Sequence, residues 1–434
     1  MRVFLVGVFG LTALISGRER PTASVRPTSR VVAQRADTIV KMAAKPLHAG
    51  VSTLVEEVSI GVADGAEEYM FGDVADIAVA RDGSIYVYDR KVPAVRKYDA
   101  NGKYVRTVGR KGQGPGEYLS GSGLAVMRDD RLLLWDTGNW RINVYSPAGE
   151  SVATWSTPSG MSGSSTATYS RALTVDTAGF VYFRRDIINR LPPGTRRTVW
   201  VRLRSDGTLA DTLPMPELPG AARSLNATSS DGHSTMGVAL PFGPVPVAIL
   251  SPLGYLVTGV PERYAFEVRV PGQPVLSVRR DLKPRPVTSA ERDSAKSAVA
   301  QRLRQVDPLW TWNGPAIPAT RPLYESLAIG TDGRIWVPIV PESSPRTGSI
   351  SSMGPMGASR GGGPPVPRPR ESSGKETPSR PALFDVFEAN GTYVGQVQVP
   401  PRVSTAVRRG DYVWGVAFGD DDVASVKRYR IVWR

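Results

Sequence analysis

Arg90, Arg141, Arg184, Arg185 and Arg263 occupy one kind of place along this 434-residue chain: each comes at or just after the end of an apolar, strand-like run. A guanidinium grips carboxylate or phosphate through paired N–H donors, and an indole face stacks on planar or cationic groups. Gathered with Trp140, Trp310 and Trp312, these arginines would make a rim for a carboxylated or phosphorylated ligand, or for an acidic protein segment. A salt-bridged, solvated surface is the plainer outcome for the same residues. A second chemistry is offered by Asp73, Asp76 and Glu325, which open strand-like segments and whose oxygens suit a divalent cation. Pairing with arginines or capping strand ends is the structural alternative for these carboxylates. Other chemistries are poorly supplied. The chain has no cysteine and two histidines, His48 and His233, so thiolate zinc sites, disulfides and histidine-rich zinc sites are excluded. There is no G-x-S-x-G elbow and no assembled triad, and no catalytic residue is assigned.

The elements that must position these residues announce themselves by repetition. The segment DTGNWRINVYSPAGE, residues 136–150, follows DRKVPAVRKYDANGK at an offset of 47 residues, which places Asp136 on Asp89 and Tyr145 on Tyr98. Each copy joins an apolar run to a tight turn, an alternating strand and a second tight turn, which reads as tandem hairpins. A period of this length, four short strands long, is that of a propeller blade. One set of turns follows short apolar runs, as in ARDGSIYVYD and GTDGRIWVPI; another joins third to fourth strands, as in YDANGKYVRTV and FEANGTYVGQV. Pairing the two sets gives blades near 74–109, 123–156, 171–213, 246–281 and 325–399. The sixth blade lacks an outer strand after VKRYRIVW, and TLVEEVSIG at 53–61 is an unpaired strand that would supply it, removing exposed sheet edges. The expected fold is all-β: a six-bladed β-propeller of four-stranded blades, the last closed by the N-terminal strand, in a single domain over 51–434.

Residues 1–17 read as a signal peptide or anchor, with Arg2, an apolar run over 3–15 and then Ser16 and Gly17. Residues 18–50 read as a flexible tether. The expected location is secreted or periplasmic, with N-terminal membrane anchoring as the competing case and no cysteine to carry a lipid. Two insertions break the blade rhythm. Over 286–306 a capping box, Thr288 with Glu291, precedes the stripe Ala295, Val299, Leu303 and Val306, so one amphipathic helix is expected. Residues 341–380 carry almost no β-branched or aromatic content and are expected to be disordered. The formal charge of +14 is spread along the chain without basic clusters interleaved with stacking aromatics, so no nucleic-acid partner is expected.

With Asp136, Asn139, Arg141, Ile142, Val144 and Tyr145 in place, the second blade resembles the NHL repeat, whose core reads roughly D-x-x-N-x-R-I-x-V-[FY]. The preceding GRKGQGPGEY, residues 109–118, is similar to the Gly-rich inter-blade segment of that family and of bacterial exported six-bladed propellers related to it. The resemblance implies a propeller and leaves chemistry open, since comparable rings include histidine-dependent lyases and Ca2+-type lactonase-like hydrolases. The first blade departs from the pattern, with Val92 opposite Asn139 and Ala94 opposite Arg141. Asn139 is expected at a left-handed turn position, and Arg141 as a bridge to a neighbouring carboxylate or carbonyl.

In such blades the second-to-third loops and the crossings between blades share one face. All the elaborations fall there, and that is where a rigid scaffold carries binding. The function expected from sequence is a non-enzymatic, monomeric binding module for a protein or anionic ligand, with no assigned cofactor. The alternative is a metal-dependent (Ca2+ or Zn2+) hydrolase or lyase with Asp73, Asp76 and Glu325 at the central channel.

Overall fold

A computed structural model describes residues 38–43, 45–157, 161–163, 172–187, 197–218, 223–339 and 381–434. The leader expected at 1–17 and the insertion at 341–380 lie outside them. The described chain is all-β apart from one α-helix and a single 3-10 turn.

The strands follow the repeat. The first sheet runs Val74–Val79, Ile85–Asp89, Ala94–Tyr98 and Tyr104–Val108, and the second Gly121–Val126, Leu132–Asp136, Arg141–Tyr145 and Ser151–Ser156. The third holds Thr174–Val175, Val181–Ile187, Arg197–Leu203 and Leu209–Pro214, with the short strand Met161–Gly163 added beside Val181–Ile187. A fourth is built from Val247–Leu250, Leu256–Gly259, Ala265–Arg269 and Val275–Arg279, and a fifth from Ala328–Ile329, Ile335–Ile339, Ala382–Phe387 and Tyr393–Val399. Within these five sheets the four consecutive strands pair antiparallel. The last group, Val403–Arg409, Tyr412–Phe418 and Ala424–Val432, gains a fourth strand from β2 (Val51–Ile60), which pairs antiparallel with Ala424–Val432. The first residues of this strand also pair parallel with Tyr393–Val399.

Burial explains why the second strands, IYVYD and LLLWD, are apolar without alternation: both faces are covered, and all five residues of each are buried. The outer strand Tyr104–Val108 instead exposes three consecutive residues. Core clusters form between consecutive sheets. Tyr88 and Leu134 join the first to the second, and Trp135 and Phe183 the second to the third. Tyr182 and Ala248 join the third to the fourth, and Phe266 and Phe387 the fourth to the fifth. Trp336 and Val413 join the fifth to the sixth, and Ile77 and Trp414 the sixth to the first.

Three features depart from expectation. The tether expected over 18–50 is not loose throughout: β1 (Thr38–Met42) pairs parallel with Val275–Arg279, and Ala43 is buried in the adjoining core. From there the backbone of Leu47 and His48 bonds to Tyr393 and Val394, and His48 stacks on Trp433 at 5.0 Å. Extended backbone beside a sheet edge satisfies its N–H and C=O groups there, which polar composition alone does not reveal. Second, the long segment after the third sheet contains a hairpin, Ser224–Thr228 with Thr235–Ala239. Third, the helix α1 is Ser289–Leu303, shorter than 286–306. Pro286 sits instead in a bridge with Thr320, and the buried stripe Ala295, Val299 and Leu303 packs on that hairpin.

Candidate functional site

The repeated aspartates are fully buried and act on backbone. Asp136 accepts from the N–H groups of Leu119, Ser120, Gly138 and Asn139, and from Asn139 Nδ2 at 2.7 Å. Asp89 does the same for Gly72, Asp73, Lys91 and Val92. Each therefore ties the turn between its second and third strands to the chain entering the sheet. The other motif residues hold the Gly-rich loop by its carbonyls: Arg141 donates to Gly114 O and Glu117 O at 2.7 and 2.8 Å, Asn143 to Glu117 O and Tyr145 to Gly116 O, both at 2.9 Å. These three residues alternate along one strand and so share a face. In the first sheet Arg96, 47 residues before Asn143, donates to Met70 O at 3.1 Å, and Tyr98 donates to Glu68 O. The clamp survives there although Asn139 and Arg141 have no counterparts. The left-handed turn position belongs to Trp140 (φ 55°), not to Asn139 as expected.

The Gly-rich loop is itself closed. Glu117 accepts from Gly114 N at 2.8 Å and pairs with Arg110 at 2.7 Å, and the Gly114 N–H followed by Arg110 holds its carboxyl below the usual range. Gly109 adopts φ 65°, and a Cβ there would lie 2.7 Å from Gly116 O and 2.8 Å from the Tyr145 hydroxyl.

The arginines of the expected rim are dispersed in their engagements. Arg90 pairs with Asp73 at 2.7 Å, Arg141 is spent on the loop, and Arg185 is buried with its guanidinium 3.9 Å over the Trp135 ring. Arg184 is half-buried and engaged, while Arg263 is exposed. Trp140 is 56% exposed at its turn. The carboxylates of the metal alternative are likewise dispersed. Asp73 faces Arg90, and Asp76 accepts from Ile77 N and from Leu124 N, at 2.7 Å, linking the first two sheets. Glu325 is exposed and already engaged. Among the described residues no three His, Cys, Asp or Glu side chains come together as a metal site.

Trp310 and Trp312 do meet, at 6.2 Å and edge to face, against α1 rather than among those arginines. The helix is started by the Thr288–Glu291 capping box, and Glu291 also pairs with Arg321 at 2.6 Å. The Thr288 N–H and then Arg321 hold the Glu291 carboxyl below its ordinary range. Trp310 is buried and donates to Asn226 O of the hairpin at 3.0 Å; Arg304 donates to Trp310 O at 3.1 Å. Trp312 satisfies its indole N–H on Gly314 O and Pro315 O. Between helix and tryptophan segment lie two adjoining open cavities of about 450 and 600 Å3, which share Lys296 and Trp312. Arg292 lines one and Arg304 the other. This basic, aromatic groove was missed as a unit because its walls, the helix and the segment just after it, face each other only once both have packed on the hairpin at 224–239. The Asp-Gly turn in SSDGHST was a local signal for the hairpin.

Residues 64–162 match the model of DUF5128, a family described as a 6-bladed beta-propeller, over less than a quarter of the chain. The chain thus resembles six-bladed β-propeller proteins. No curated protein matches it. Similar solved structures include a protein of Bacteroides fragilis described as exported, with 10% identity, 91% of this chain and 99% of that one covered, and a TM-score of 0.46. A DUF4221 member from Bacteroides vulgatus gives 10% identity, 90% and 100% coverage and a TM-score of 0.46. Virginiamycin B lyase from Staphylococcus aureus gives 10% identity, 86% and 98% coverage and a TM-score of 0.39.

Proposed function

We propose that this chain is an exported, non-enzymatic six-bladed β-propeller, its last blade completed by β2, that binds a protein or anionic ligand through the face carrying its crossings. The cyclic series of cores, ending where the sixth sheet packs on the first through Ile77 and Trp414, supports the ring. The leader-like residues 1–17 support export. The observation that carries the binding reading is the groove beside α1. The helix and the segment after it lie in the crossing that follows the fourth sheet, pack on the hairpin from the crossing that follows the third, and form a concave basic surface between them.

A photo-crosslinking residue introduced at Trp140 or at Arg263, both on the crossing face, should give discrete adducts in the producing cell. The same residue at Asn101, in a tight turn of the opposite face, should give none. Absence of adducts from either position, together with one tightly held equivalent of Ca2+ or Zn2+ that Asp76→Ala and Glu325→Ala abolish, would replace this reading with the metal-dependent one.

A further inference from the structure

We infer that the groove between α1 and residues 308–319 docks an extended acidic peptide segment of a partner protein that also carries an apolar side chain. The inference rests on the reading that the crossing face binds a partner, and it names that partner's chemistry. Arg292, Lys296 and Arg304 stand four and eight residues apart, so they form one stripe along the helix with Ala300 between the last two. Like charges at this spacing oppose helix formation. Among the described residues none of the three has a carboxylate within ion-pairing distance. Elsewhere such pairing is common: Arg81 with Asp130, Arg202 with Asp211 and Arg430 with Glu57 are all matched. Of the acidic neighbours, Glu291 is taken by Arg321, Asp307 accepts from the Leu309 N–H, and the exposed Asp293, beside Arg292 in the chain, makes no ion pair with any of the three.

The cations are also held in place. Arg292 donates through one terminal nitrogen to Val287 O, and Arg304 through Nε to Trp310 O, which leaves their other N–H groups for a carboxylate. Apolar surface lies alongside: the Trp312 indole N–H is satisfied internally, and Leu309, beside Trp310 in the chain, is 88% exposed. From Arg292 to Arg304 the stripe is about 18 Å long at the helical rise, the reach of about five residues of extended chain. The continuous, open trough suits a segment laid across it, whereas a small ligand is typically enclosed. Single-stranded nucleic acid would want several stacking faces, and Trp310 is buried.

The test uses the full chain and a fluorescein-labelled, end-blocked hexapeptide of glutamate and aspartate with one central phenylalanine, read by anisotropy at low salt. Saturable binding is expected, weakened at least tenfold by Lys296→Glu, an exposed helix position, and by Trp312→Ala, and at least threefold when the phenylalanine becomes glycine. Lys103→Glu, the same charge change on a distant exposed turn, should leave it unchanged. Equal loss in Lys103→Glu, or no loss in Lys296→Glu, would reduce the effect to general basicity and overturn the inference. So would tighter, groove-dependent binding of oligothymidylate. Failure of the peptide to bind, with Trp140 and Arg263 still crosslinking a partner, would remove the acidic segment and leave the broader reading standing.

Discussion

A buried carboxylate needs partners, and the recurrent aspartate of this chain finds them in backbone N–H groups. Asp136→Ala would strand four amide donors and remove the carboxylate 3.7 Å from Arg141 Nε. The expected loss is about 3 kcal/mol or more, read as a lowered urea midpoint. Asp211→Ala, which breaks an exposed pair with Arg202, should scarcely move that midpoint. An unchanged midpoint for Asp136→Ala would show that the clamp is dispensable. Asp385 plays a related part between the fourth and fifth sheets, accepting from Tyr264, Tyr393 and Gln396 and pairing with Arg280. The recurrence of Asp89 and Asp136 was legible in sequence. That Arg96 and Asn143 share a role was not, because the two side chains differ and only their carbonyl partners make them equivalent.

At the scale of elements, the N-terminal segment works as two fasteners of unequal weight. Within 38–48 only Ala43 among the described residues is fully buried, and β1 leaves Ile39, Val40 and Met42 exposed. A chain beginning at residue 49 should therefore fold, with a loss of at most about 2 kcal/mol. One beginning at residue 62 also loses β2, whose Val58 and Ile60 are buried in the core between the sixth and first sheets, and bares the edge of Ala424–Val432. It should yield no soluble cooperative transition in thermal melts. Cooperative folding of the shorter chain would show that the pairing of β2 with Ala424–Val432 is dispensable. The pairing of β2 was readable as an unmatched strand at one end and an unfilled blade at the other. The docking of β1 was hidden, because its TIVKM run has no turn beside it to mark a hairpin and its partner lies over two hundred residues away.

Across the whole molecule the spaces between sheets are filled by tyrosines as well as aliphatics. Burial pushes the phenols of Tyr118, Tyr182 and Tyr429 up from 10.0 to about 12. The neutral form is thus favoured in the folded state, so this contribution is complete below pH 10 and is lost as pH rises towards 12. Each phenol that ionises only on unfolding removes about 1.4 kcal/mol per pH unit in that window. Alkaline titration should show phenolate absorbance rising with loss of near-ultraviolet circular dichroism, in one cooperative step. Titration of most tyrosines with circular dichroism intact would contradict the packing described between sheets.

Sequence alone determined the strand rhythm, the tight turns, the capped helix and the four-stranded repeat, because turn chemistry, alternation and capping act within a few residues. Tertiary structure decided which charges are committed. Arg141 and Asp76 are consumed by backbone groups of neighbouring loops and sheets, while Lys296 and Trp312 border a groove between the helix and the segment after it, both packed on a hairpin from another crossing. Those outcomes depend on which atoms folding brings within a hydrogen bond's length, and no local pattern encodes that.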